Sequence, residues 1–209
     1  MSSSRLTVDL FAEDRAHEEF LRPIIHRVAD EEQTDVVIRV RSARGGHGRA
    51  IDEFKLYQSV LMTHGLSGAS PDIVVVAVDG NCMTFAKKRE QIQAATDASL
   101  SASVVAASPD PHVERWYVAD PVSFAVVVGS QPVLGTAKCE RDHYKGVLAN
   151  AVRRGGHPPT LGGVEFAGEL VAAMDLFRAG KNDRSFKAFI DDLRRELRKL
   201  RNARGDAAV

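Results

Sequence analysis

Three acids in this chain stand where an α/β protein could use them on a divalent cation. Glu13 follows the alternating stretch Leu6 to Phe11, and Asp79 closes the apolar run DIVVVAVDGN, from Asp72 to Asn81. Glu114 lies further on, within SPDPHVERWYVADP. A carboxylate at the end of a buried strand loses solvation unless a cation or a donor compensates it. Two such acids can converge in space, and the amide oxygen of Asn81, two residues past Asp79, can face the same ion. Glu13, Asp79 and Asn81 are therefore candidate metal ligands. Mg²⁺ or Mn²⁺ suits a site in which a few protein oxygens leave room for water and substrate phosphate. Glu13 and Asp79 would equally serve as caps, because acids favour helix N-termini. Glu114 would equally be a solvated helix acid.

Such an ion supports phosphodiester hydrolysis by stabilising phosphate charge and generating hydroxide at neutral pH. Cations for a nucleic-acid backbone are at hand. Arg39, Arg41, Arg44 and Arg49 surround Gly45-Gly46-His47-Gly48, where guanidinium groups and backbone NH groups could grip phosphate. Lys87 and Lys88 follow Asn81 within two turns. A surface loop and a solvated helix face are the plainer readings of these two groups. Other motifs fail. GSQPVLGTAK has the wrong spacing for a nucleotide-binding loop, and no histidine pair or CxxC supports zinc.

The elements that must carry these residues follow from periodicity. DIVVVAVDGN has no alternation, as in a central parallel strand buried on both faces. Strands are predicted at Leu6 to Phe11, Asp35 to Val40, Ile73 to Val78 and Ser103 to Ala107. Helices are predicted at Glu13 to Glu31, Ile51 to His64 and Met83 to Ala95. This alternation is that of a mostly parallel, Rossmann-like sheet flanked by helices. Past Ser108 the chain reads as helical, with helices at His112 to Ala119, Val122 to Val128, Arg141 to Arg153, Phe166 to Arg178 and Ser185 to Arg201. The expected organisation is one domain over residues 1–201, with a core at about 5–128, a helical C-terminal part at about 140–201, and a flexible tail over 202–209. The last helix carries an apolar stripe and a basic end, and packing against its own domain is the expected use.

The 209 residues, 44% hydrophobic and 27% charged, suit a globular fold, and 28 basic residues balance 28 acidic ones, so net charge points to no partner. Two cysteines make no disulfide framework. The N-terminus lacks the apolar core of a signal peptide, and no window could span a membrane, so a cytoplasmic protein is expected.

Taken together, FAEDRAHEEFLRPII, VVVAVDGN and PHVERWYVAD resemble the Toprim (topoisomerase–primase) superfamily, and in particular its small stand-alone members found beside ABC-type ATPases. The resemblance covers most of the chain through short motifs. It implies that Glu13 and Asp79 bind Mg²⁺ or Mn²⁺, and that Glu13, Asp79, Asn81 and Glu114 form the catalytic set. It further implies a nuclease component acting on nucleic acid, DNA ahead of RNA, with a separately encoded ABC/AAA-type ATPase as partner in anti-phage defence. Arg41, Arg44, Arg49, Lys87 and Lys88 would contact the nucleic acid. Two positions depart from the pattern. Asn81 stands where the superfamily has a second aspartate, and Asp14 replaces the usual glycine after the glutamate. The loss of charge at Asn81 leaves a second expectation open, a non-catalytic module that binds nucleic acid or the ATPase. Oligomeric state is not indicated.

Overall fold

In the computed structural model the run from Ile73 is a strand with all five residues buried, β3 (Ile73–Ala77). Ile73, Val75 and Ala77 face one core, whereas Val74 and Val76 face another. That division is why the sequence shows no polar alternation there. The structure describes residues 5–43, 49–64, 70–100, 102–135, 137, 140 and 142–206.

β3 sits inside a four-stranded, all-parallel sheet with β1 (Leu6–Ala12), β2 (Val36–Ser42) and β4 (Ser103–Ala107), in the order β2-β1-β3-β4. The expected α/β class is thus observed. α1 (Arg15–Glu31) packs Phe20, Leu21, Ile24 and Ile25 onto one face of the sheet. α2 (Ala50–His64) and α3 (Phe85–Ala95) cover the other face through Phe54 and Ile92. Opposite faces follow from right-handed crossovers that run first one way along the sheet and then the other. Pro23 lies inside α1 without ending it.

The larger core continues into the C-terminal helices. These are α4 (Glu114–Tyr117), α5 (Pro121–Val128), α6 (His143–Arg154), α7 (Ala167–Ala173), α8 (Leu176–Asn182) and α9 (Arg184–Asp206). Trp116 stacks on Phe189 and donates its indole NH to Ser185 Oγ at 2.9 Å. Tyr117 donates its hydroxyl to Ala16 O at 2.8 Å. These bonds tie α4 to both α1 and α9. The stripe Phe186, Phe189, Ile190, Leu193 and Leu197 is buried, and each such side chain contributes about 2 kcal/mol by leaving water.

Three segments depart most from expectation. Within the segment 112–119 only Glu114–Tyr117 is helical, a single turn. The helix expected over 166–178 breaks at Met174, because Asp175 caps α8 while its own NH binds Asp120 Oδ2 at 2.8 Å. α9 runs to Asp206, past the point where a tail was expected. Arg204 holds it there by pairing with Asp72 at 2.6 Å, a long-range contact that local sequence does not reveal. The basic end of α9 is engaged throughout: Arg194 and Arg198 pair with Glu32, and Arg195 with Asp192. α9 thus docks on its own domain, as expected.

Candidate metal centre

The sheet reverses its winding between β1 and β3. β1 leads through α1 to β2 on one side, whereas β3 leads on to β4 on the other. Open α/β sheets place ligands outside the carboxyl ends of the strands at such a point. Glu13 directly follows β1, and its backbone NH donates to Ala77 O at 3.0 Å, continuing the ladder past the strand. Asp79 follows β3, and its NH donates to Glu13 Oε2 at 2.9 Å. The two acids singled out from sequence therefore meet.

The chain leaves β3 along a narrow path. Gly80 NH donates to Pro109 O at 2.8 Å, and a Cβ on Gly80 would stand 2.7 Å from that oxygen, so a side chain is excluded. Asn81 has a φ of 53°, a left-handed conformation that asparagine tolerates. Its NH donates to Pro111 O at 2.9 Å, and its side-chain amide donates to Asp79 O at 3.4 Å.

Asp79 is buried, and two histidines and a backbone amide address its carboxylate. Val113 NH donates to Oδ1 at 2.9 Å, and His112 Nδ1 lies 3.0 Å from Oδ2. His17 Nε2 lies 3.1 Å from Oδ1, without the alignment of a hydrogen bond. Burial opposes the charge on Asp79, but the charge of His17 and the hydrogen bond from His112 outweigh it and hold the carboxyl well below its usual range. For His17, fully buried, desolvation is the largest influence and disfavours charge. The Asp79 carboxylate and the bond to Asp14 overcome it, keeping the imidazole well above its ordinary value. His112 is raised too, chiefly by its bond to Asp79.

Sequence reasoning missed both histidines. It sought pairs of histidines and so passed over a histidine paired with carboxylates. The signal was present: His17 is four residues beyond Glu13 and shares the buried face of α1 with Phe20, Leu21 and Ile24. Asp14, where the resembled pattern has glycine, acts on His17. Its Oδ1 caps α1 by accepting the NH of His17 at 3.1 Å and lies 2.8 Å from His17 Nδ1.

Glu114 is 3% exposed, which excludes the solvated-acid reading. Burial, and then the negative charge of Asp79, push its carboxyl upward. Its Oε2 is buried with no hydrogen-bond partner. Asp120, by contrast, caps α5 through Ser123 NH and takes a two-pronged ion pair from Arg178.

Next to Glu13 opens a crevice of about 760 Å³, lined by Asn81, Lys88, Lys55, Ile51, Val78 and Met83, among others. Lys88 is buried in its wall, while Lys87 is exposed. Glu13 thus connects the His17–Asp79 cluster with a crevice that carries Lys55 and Lys88. Arg41 sits on β2 with Arg39, and both pair with the buried Asp9. Arg49 is exposed just before α2, and Arg44 lies outside the described residues.

Glu13, His17 and Asp79 each offer a ligand atom, all within 4.8 Å of one another. The buried, unpartnered His17 Nε2 and Glu114 Oε2 are what a bound cation and its water would satisfy, so the donor set fits a metal. Fold and site together define an open parallel α/β protein whose switch point carries a buried Glu–His–Asp group that could hold a metal ion. Among known proteins, the chain matches no family model, no curated protein and no solved structure. No helix among the described residues is long and apolar enough to cross a membrane.

Proposed function

We propose that this chain is a divalent-metal-dependent phosphodiesterase acting on nucleic acid, using Mg²⁺ or Mn²⁺. The observation that carries this reading is the meeting of Glu13, His17 and Asp79 at the sheet's switch point, beside a crevice whose wall includes Lys55 and Lys88. The ion would be held by Glu13 and Asp79 with His17, and would supply charge stabilisation and an activated water. Lys88 and Lys55 would draw the phosphate backbone into the crevice, with Asn81 on its wall. Glu114, held toward its protonated form, could give a proton to a leaving oxygen near Asp79. The Toprim resemblance adds the further proposal of a separately encoded ATPase partner and a role in anti-phage defence.

The test is cleavage of plasmid and single-stranded DNA with Mg²⁺ or Mn²⁺, comparing wild type with Glu13→Ala and Asp79→Ala. Metal-dependent cleavage lost in both variants is expected; cleavage unchanged in both would discard the site.

A second reading, a non-catalytic module that binds nucleic acid or the ATPase, draws on Asn81 and on the fact that both Asp79 oxygens already have protein partners. Tight DNA binding without cleavage under any divalent ion would select it.

A further inference from the structure

An all-oxygen site and a site containing an imidazole do not choose the same ion. Mg²⁺ takes oxygen ligands and sheds water reluctantly, whereas imidazole nitrogen favours transition-series ions. We propose that His17 is a direct metal ligand oriented by Asp14, and that it makes this centre select a divalent transition ion, in the range Mn²⁺ to Zn²⁺, over Mg²⁺. The inference rests on the metal centre proposed above and deepens it by naming the class of ion.

Two observations carry it. First, His17 is held from behind: Asp14 Oδ1 lies 2.8 Å from Nδ1, leaving Nε2 as the nitrogen that faces Glu13 and Asp79. Metal-bound histidines are commonly set this way, with a carboxylate on the far nitrogen fixing the tautomer and the ring orientation. Secondly, Nε2 is fully buried and has no hydrogen-bond partner, although it stands 3.1 Å from Asp79 Oδ1. Two donor atoms about 2.1 Å from one ion and at right angles to each other lie about 3.0 Å apart. The separation is thus that of neighbouring ligands around one ion. A simple ion pair between His17 and Asp79 is the rival account, and it predicts no nitrogen on the metal.

The two accounts separate in a measurement that does not depend on cleavage. Metal-stripped protein is titrated with Mn²⁺ and followed by electron paramagnetic resonance, with pulsed detection of nitrogen coupled to the ion. Wild type is expected to bind one Mn²⁺ showing imidazole nitrogen coupling, and Mg²⁺ is expected to compete at least tenfold more weakly. His17→Gln should lose the coupling, while His112→Gln should keep it. Asp14→Asn should weaken Mn²⁺ binding about 10- to 100-fold, the usual loss when a carboxylate behind a ligating histidine is removed. Circular dichroism and thermal melts check that each variant is folded; if His17→Gln is not, the wild-type coupling and the Asp14 and His112 variants still decide. Bound Mn²⁺ without nitrogen coupling, coupling that disappears with His112→Gln, or Mg²⁺ bound as tightly as Mn²⁺ overturns the inference. So does the absence of Mn²⁺ binding. Nitrogen-coupled Mn²⁺ in a protein that cleaves nothing leaves the inference standing and removes only the phosphodiesterase reading.

Discussion

Asp79 and Asp120 are both buried aspartates facing cations, yet their partners differ in kind. Asp120 caps α5 through Ser123 NH, and three donors, Asp175 NH and both prongs of Arg178, fix it to α8. A guanidinium does not give up its proton in a protein, so this cluster stays charged near neutral pH and serves as a strut. Asp79 faces His17 and His112, whose charges can be withdrawn. A metal ion can take the place of a proton there, because ligand histidine must be neutral. Two buried carboxylates are thus separated into structure and chemistry by their partners.

That contrast can be broken most severely at Glu13, which joins the Asp79 cluster to the crevice. Glu13→Gln should cut metal-dependent cleavage about a thousandfold, measured as single-turnover rate, because several kcal/mol of transition-state stabilisation go with the ion. Asp120→Ala should leave that rate within about twofold in whatever fraction remains folded. Its effect falls on stability, a loss of about 2 kcal/mol in denaturant melts from a lost cap and broken hydrogen bonds.

The two clusters should also part company with pH. His17 is raised in the folded state, so its contribution to stability is complete below the unfolded value of about 6.5 and is lost as pH rises through the higher folded value. Asp120 is depressed, so its contribution is present above an unfolded value of about 3.9 and is lost as pH falls toward the folded one. Melting temperature of metal-free protein should therefore fall on the alkaline side in wild type and in Asp120→Ala, and lose most of that slope in His17→Gln. An alkaline slope unchanged in His17→Gln would assign it elsewhere.

The smallest expected effects lie on the crevice wall. Lys88→Met should weaken nucleic-acid binding about tenfold and lower its salt dependence by about one phosphate contact. Lys87→Ala, exposed and off that wall, should change binding less than twofold; equal effects for the two would mean that the crevice does not receive the backbone.

The regular part of the fold was legible because parallel strands buried on both faces leave unbroken apolar runs, as in Ile73 to Val78. Glu13 and Asp79 were legible for the same reason, since an acid that ends such a run stands out. His17 was hidden inside an amphipathic stripe, where any histidine passes for a core residue. Glu114 was assigned to the site but not its burial, because a single helical turn gives periodicity nothing to register. Asp175 and Arg204 moved helix boundaries through partners 55 and 132 residues away.

By itself, then, the sequence determined the order of strands and helices and the two acids at their ends. Hydrophobic period and backbone sterics are local, and a reader of the chain can recover them. Only the tertiary structure decided which groups surround Asp79. Distances between side chains on α1, after β3 and before α4 depend on how helices seat on the sheet, and no local pattern encodes that packing.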